Sequence, residues 1–236
     1  MTKTQRIRMT LDILMTILSV ALMGGTVLFP SDKVHQVLVM VLFVLWAAHV
    51  ALNRRWYASL CKGAYPPYRV MQLFVNAGIA VCALLVAASG MLMAWFVPVS
   101  SAIGFARATH LASSHWYYLF MCAHIGMHAG QMATRLGAGR TGGRKKTLAL
   151  RIALALVCVY GAYAFARRGV WEYLFLRRHF FFLDVESGYA LFAADYVAML
   201  VLFAAVAHYA GKLLVRKKQS PGDGREIQTI THRSRR

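Results

Sequence analysis

Six apolar stretches, each close to the length of a membrane-crossing helix, constrain the fold of this chain more than any other feature. About 20 apolar residues of helix span the hydrocarbon layer of a bilayer, where backbone polar groups must be satisfied within the helix itself. With 59% hydrophobic residues in 236, the chain is too apolar for an ordinary soluble domain. The sequence therefore predicts an all-α integral membrane bundle of six transmembrane helices. The expected spans are 10–30, 34–53, 70–97, 108–134, 147–166 and 189–212.

The distribution of charge orients these six spans. The net charge is +19, and 21 of the 27 Lys and Arg residues fall on one side of a six-span topology. An excess of Lys and Arg marks the cytoplasmic side, so we expect both termini in the cytoplasm and the chain in a bacterial-type inner membrane. Because the cations follow the loops and the tail, anionic lipid is the expected charged partner and nucleic-acid binding is excluded.

Composition divides the chain into segments. We expect a four-helix unit over 1–136, a Gly- and Arg-rich cytoplasmic connector over 137–146, and a two-helix extension over 147–215. The extension contains an outer segment, 167–187, whose mixture of aromatic rings and arginines suits the headgroup layer and a docking partner. The basic tail, 216–236, is expected to be disordered.

Two histidine pairs share one spacing. His35 and His49 are fourteen residues apart, and so are His110 and His124. In a helix, fourteen residues advance about 21 Å and complete about four turns less 40°, so each pair lies on nearly one face at two depths. Alternation of direction makes spans two and four parallel. We therefore expect His35 level with His110 near the outer face, and His49 level with His124 nearer the cytoplasm.

Histidine is a standard axial ligand of haem iron, and two facing histidines at each depth suit two stacked b-type haems. The sequence contains no CxxCH motif for covalent haem attachment. We predict that His35 and His110 ligate the iron of an outer haem, and that His49 and His124 ligate the iron of an inner haem. Two bound haems would divide the crossing of the membrane into shorter electron transfers.

Two assignments at the inner site stay open. His128 lies one turn after His124 on roughly the same face, and either histidine could be the inner ligand while the other bonds a haem propionate or a quinone. Arg54 and Arg55 end span two. They suit bidentate bonds to the inner propionates, although positively charged anchors at the cytoplasmic boundary are an equal explanation.

Three motifs resemble the flavinylation-associated cytochrome family. They are Leu11-Asp12-Ile13-Leu14-Met15-Thr16, His49-Val50-Ala51-Leu52-Asn53-Arg54-Arg55-Trp56-Tyr57, and His110 followed by His124-Ile125-Gly126-Met127-His128. The similarity covers about residues 8–135, and the segment around Tyr173-Leu174-Phe175-Leu176-Arg177 resembles a two-helix extension of longer members. The sequence departs from the family pattern at Val39, where members often have Gly one turn after the first histidine.

The resemblance implies a haem-binding membrane cytochrome that works with an extracytoplasmic flavoprotein. The leading hypothesis is a transmembrane dihaem cytochrome b passing electrons between a cytoplasmic or quinone-side donor and an outer redox partner. Whether the chain is itself a quinone-linked oxidoreductase subunit stays open, as do the direction of flow and the oligomeric state. One alternative is a transition-metal transporter, for which Met121 and Met127 flank His124 but no carboxylate is expected nearby. Another is a non-redox anchor or assembly subunit.

Overall fold

The computed structural model describes residues 2–29, 31–94, 102–135, 143–181 and 188–216. Within these ranges all regular secondary structure is helical, and no strand is present. The helices are α1 (Lys3–Leu22), α2 (Asp32–Leu52), α3 (Arg54–Ala58), α4 (Pro67–Met93), α5 (Ile103–Arg135), α6 (Arg144–Arg167), α7 (Val170–Leu174) and α8 (Gly188–Arg216), with a 3-10 turn at Thr26–Leu28. The predicted helical class is thus confirmed.

Four of these helices are long and apolar enough to cross a membrane, which indicates a multi-pass membrane protein. The four stretches are Asp32–Leu52, Pro67–Met93, Arg144–Arg167 and Gly188–Val215. They match expected spans two, three, five and six. Expected spans one and four are helical as α1 and α5, but both carry more polar residues, and their crossing of the membrane stays a prediction.

Helix ends differ from the expected boundaries where local chemistry intervenes. Thr2 caps α1 through its hydroxyl, which accepts from the Gln5 backbone, while the Gln5 side chain bonds the Thr2 backbone in return. The helix therefore begins well before residue 10. It ends at Leu22 rather than residue 30, because Gly25 adopts a φ of +60° that leads into the 3-10 turn.

The two-helix extension is built into the bundle. Helix α5 packs along α4 and also along α8, which packs in turn along α6. Two glycines permit close approach of α8: a Cβ on Gly126 of α5 would lie 2.1 Å from the Ala204 carbonyl oxygen, and one on Gly161 of α6 would lie 2.5 Å from that of Ala198. One buried hydrophobic cluster joins the residue that follows α1 to α5, α6, α7 and α8. Its members are Met23, Tyr118, Met121, Cys122, Ala164, Val170, Leu174, Phe192, Tyr196 and Met199.

The connector and the outer segment are described only in part. Helix α6 begins at Arg144, so the end of the connector expected over 137–146 is helical, while 136–142 lie outside the described residues. The outer segment forms the short helix α7 and continues to Phe181; residues 182–187 lie outside the description. The expected disordered tail over 216–236 lies outside it except for Arg216.

Helix α2 is set apart from the rest of the bundle. It packs along α1, and its backbone makes few close approaches to α4 or α5. None of its residues is fully buried. Across the resulting gap, α2 faces α4 and α5 through long side chains, and both predicted histidine pairs lie in this gap.

Candidate functional site: two levels of facing histidines

We name the level near the C-terminal end of α2 the inner level, and the level near its N-terminal end the outer level. At the inner level, His49 of α2 faces His124 of α5. Their ring centroids are 6.2 Å apart, and the ring planes are inclined by 71°. Metal–nitrogen bonds of about 2 Å place two imidazole centroids on opposite sides of one iron at roughly 6 Å. The spacing of this pair therefore fits two axial ligands of a single haem iron.

At this level, the Nδ1 atom of each histidine forms a hydrogen bond with a residue of a neighbouring helix. Nδ1 of His49 bonds Oδ1 of Asp12 on α1 at 2.8 Å, and Nδ1 of His124 bonds Oδ1 of Asn76 on α4 at 2.8 Å. Both oxygens are acceptors, so each ring donates from Nδ1 and keeps Nε2 for a metal. Metal-bound histidines characteristically donate their other nitrogen in this way, which fixes the orientation of the ring. Helices α1, α2, α4 and α5 thus each contribute one residue to the inner level.

His128 occupies a position beside this pair. Its ring centroid is 4.7 Å from that of His124, with the planes inclined by 57°. This spacing is shorter than the roughly 6 Å that two imidazole rings need when both bind one iron. The geometry favours His124 as the partner of His49, with His128 a neighbour at the edge of the inner level.

At the outer level, His35 of α2 and His110 of α5 line one cavity. The cavity has a volume of about 80 Å³ and opens on one side. Its walls are mainly apolar side chains of α1, α2, α4 and α5. They are Ser19, Leu22, Met23, His35, Val39, Leu42, Phe43, Trp46, Ala83, Val86, His110, Ser114 and Tyr117.

The two outer histidines differ in their second-nitrogen partners. Nδ1 of His110 lies 3.2 Å from the Val86 carbonyl oxygen and 3.3 Å from the Ser89 hydroxyl on α4. Nδ1 of His35 is buried without a well-formed hydrogen bond among the described residues, and the Gly25 backbone is a polar neighbour of its ring. A Cβ on Gly90 would lie 3.4 Å from Cε1 of His110, so this glycine gives the ring its room. Val39, where the resembled family often has Gly, contributes to the cavity wall.

Since His35 shares a cavity with His110 while His49 faces His124, α2 and α5 run in the same direction. The structure thus brings the four histidines together as the spacing predicted. Among the described residues, no group of three or more His, Cys, Asp or Glu is arranged to hold a metal ion. A haem iron takes four ligands from the porphyrin and accepts one or two from the protein, so two histidines at each level would complete a six-coordinate iron.

No protein-family model, no curated protein and no solved structure matches the chain.

Sequence reasoning missed an arginine at the inner level. The Arg8 guanidinium on α1 donates to the Leu52 carbonyl at 2.6 Å, at the end of α2, and its Nε is buried. Arg54 and Arg55 have exposed side chains on α3, which fits the anchor explanation. Arg8 stands one turn before Asp12, and this i,i+4 spacing on α1 was the available signal for a shared face.

A buried ionic cluster in the extension also escaped prediction. Asp195 of α8 lies near the start of expected span six, where a carboxylate is usually hydrated, but it is fully buried. Its carboxylate accepts from the Tyr160 hydroxyl at 2.7 Å, from Nε of Arg168 at 2.7 Å and from Arg167. Two arginines and a tyrosine satisfy the charge, and the cluster ties the end of α6 to α8.

Other histidines serve different roles. His115 is buried, stacks on Tyr173 of α7 at 4.5 Å with an angle of 11°, and donates from Nδ1 to the Leu111 carbonyl at 2.7 Å. It therefore packs α5 against α7. Two glycines also make packing contacts outside the histidine levels. Gly126 of α5 contacts α8, and Gly78 of α4 contacts the ring of Phe120.

Proposed function

We propose that this protein is a dihaem cytochrome b of a bacterial-type inner membrane, with six transmembrane helices and both termini in the cytoplasm. The observation that carries the proposal is the inner pair. The ring centroids of His49 and His124 are 6.2 Å apart across the gap, and hydrogen-bond acceptors on α1 and α4 orient both Nδ1 atoms. Haem b bound at each level would supply one-electron redox chemistry.

The membrane position of α1 and α5 follows from where their polar side chains lie. Asp12 of α1 bonds His49, and Ser19 of α1 lies 3.3 Å from the Tyr117 hydroxyl of α5. Polar groups inside a bilayer are costly unless they face the bundle interior and find partners. Ser19 is buried in the bundle, and Asp12, although its side chain is 48% exposed, finds its partner on α2. Their pairing supports six spans rather than four.

Each set of residues has a role in the proposed transfer. His35 and His110 hold the outer haem, while His49 and His124 hold the inner haem. The apolar walls of the gap exclude water, and Arg8 presents a cation at the cytoplasmic end of α2. The electron donor is a cytoplasmic or quinone-side reductant, and the acceptor is an extracytoplasmic flavoprotein that docks near α7, with anionic lipid at the basic faces.

Substitution of single histidines tests this function. Purified in detergent, the His49→Ala and His110→Ala proteins should each lose one haem relative to the wild type while the other remains. His208→Ala is the matched control, because His208 is a membrane histidine on α8 outside both pairs. Haem content unchanged in both pair variants would refute the ligand assignment.

One observation favours a second candidate, a transition-metal transporter. A carboxylate was not expected near His124, yet Asp12 bonds His49, whose ring faces His124. The expectation was wrong because it compared positions along single helices and not between α1 and α2. Metal analysis of haem-free protein decides between the candidates. Zinc or manganese that binds the wild type and is lost in Asp12→Asn would favour the transporter, and a wild type without bound metal would favour the cytochrome.

A further inference from the structure

The two histidine levels differ in the charge of the groups that hold them. At the inner level, Nδ1 of His49 donates to the Asp12 carboxylate at 2.8 Å. At the outer level, the oxygens nearest Nδ1 of His110 are the Val86 carbonyl at 3.2 Å and the Ser89 hydroxyl at 3.3 Å, both neutral. Among the described residues, only the inner pair thus includes a ring hydrogen-bonded to an anion; at the outer level the Asp32 carboxylate acts on His35 through space.

A carboxylate on the far nitrogen makes an imidazole a more basic ligand. Ferric haem carries one more positive charge than ferrous haem, so a more basic ligand and a nearby anion both stabilise the ferric form. Stabilising the ferric form lowers the reduction potential. A neutral carbonyl or hydroxyl oxygen at a longer distance has a weaker effect of the same kind.

We propose that Asp12 is a positioning residue that makes the inner haem the lower-potential of the two, so that electrons move outward from the cytoplasmic level. This inference rests on the proposed function and adds its direction. In the proposed transfer, one electron would pass from a ferrous haem held by His49 and His124 to a ferric haem held by His35 and His110, oxidising the first and reducing the second. No bond is broken and no proton is transferred.

Nearby cations would raise the potential of the inner haem, but none of them replaces the hydrogen bond between Asp12 and His49. Arg8, one turn away on α1, is bonded to the Leu52 carbonyl at 2.6 Å, and Arg54 and Arg55 are exposed to solvent, where screening weakens their field. The Asp12 side chain is itself 48% exposed, but it bonds the ligand ring directly, at a distance far shorter than the screening length. The neutral amide of Asn76 on His124 leaves Asp12 as the charged hydrogen-bond partner of the pair.

Potentiometric titration followed by haem absorbance tests the inference. Wild-type protein should titrate in two waves, and His110→Ala, which retains the inner haem, should show the lower one. Asp12→Asn should raise the lower midpoint by at least the equivalent of a tenfold change in the ferric-to-ferrous ratio, about 59 mV for one electron. Asp12→Glu should restore a low midpoint, and Ser89→Ala should leave the lower wave unchanged.

Asn76→Asp is a second variant, expected to shift the lower midpoint potential in the opposite direction to Asp12→Asn. It adds a carboxylate beside Nδ1 of His124 and should lower the same wave further. Two haems with a lower midpoint that moves in neither Asp12→Asn nor Asn76→Asp would overturn the inference and leave the cytochrome function standing. A high-potential haem in His110→Ala would also overturn it. Protein without haem would instead refute the proposed function.

Discussion

Gly126 of α5 lies against the backbone of Ala204 in α8, so closely that a Cβ would stand 2.1 Å from the Ala204 carbonyl oxygen. Because α5 carries His110 and His124, this contact fixes the histidine-bearing helix against the extension. The extension is thus a support for the site, although the sequence suggested a separate unit.

The first prediction concerns this contact. Gly126→Ala should destabilise the protein by about 1–3 kcal/mol, the usual cost of overpacking, because backbone cannot move aside as a flexible side chain can. Gly104→Ala is the matched control, since nothing lies within 4 Å of its Cβ position on the same helix. Removal of a helical glycine should leave the control equal or more stable, by up to about 1 kcal/mol. Thermal unfolding in detergent measures both, and equal melting temperatures would contradict the packing.

A second prediction concerns the buried carboxylate of Asp195. Asp195→Ala removes the acceptor shared by Tyr160, Arg167 and Arg168, so the arginines are left without compensation. Breaking a buried ion pair costs about 3–5 kcal/mol, here reduced because Arg167 is 34% exposed. Tyr160→Phe removes a single hydrogen bond and should destabilise the protein less than Asp195→Ala does. Detergent-stability curves should rank the variants in this order, and the reverse order would contradict a shared role for Asp195.

His115 gives a third prediction, which separates packing from ligation. His115→Ala removes the ring stacked on Tyr173 and leaves a cavity between α5 and α7. Loss of buried volume should lower the melting temperature while both haems are retained. His110→Ala, five residues earlier on the same helix, should lose one haem. Loss of a haem in His115→Ala with full loading of His110→Ala would reverse the assignment.

Natural cysteines provide a fourth prediction, on orientation. Cys61 follows α3 and is exposed, while Cys82 and Cys122 are buried and Cys158 is partly exposed. A membrane-impermeant maleimide should label Cys61 in inside-out vesicles and leave it unlabelled in right-side-out cells, since this loop is cytoplasmic in the proposed topology. Cys61→Ser identifies the labelled site. Labelling of Cys61 from the outside of intact cells would contradict the orientation.

Sequence periodicity was sufficient to predict the helical class and the position of each histidine along its helix. The equal spacing of His35–His49 and His110–His124 translates directly into position along a helix, and the structure places these residues at two levels as expected. Lateral packing was harder to predict. That Asp12 reaches His49 depends on how α1 and α2 rotate about their axes, which no single-helix pattern contains.

The buried cluster of Asp195 shows the same limit. Its position near a span boundary suggested hydration, yet Tyr160 and the two arginines at the end of α6 surround it. Pairing of residues about 30 positions apart depends on the contact between α6 and α8. That contact in turn depends on the small residues Gly161 and Ala198, whose role becomes visible only once the helices are packed.

Haem content per chain tests the central claim most directly. Wild-type protein, purified in mild detergent and assayed for haem and protein together, should contain two haem b groups per chain with reduced b-type absorbance bands, and one in His49→Ala. A chain that folds and contains no haem would contradict the account, and a single haem in the wild type would contradict the two-level site.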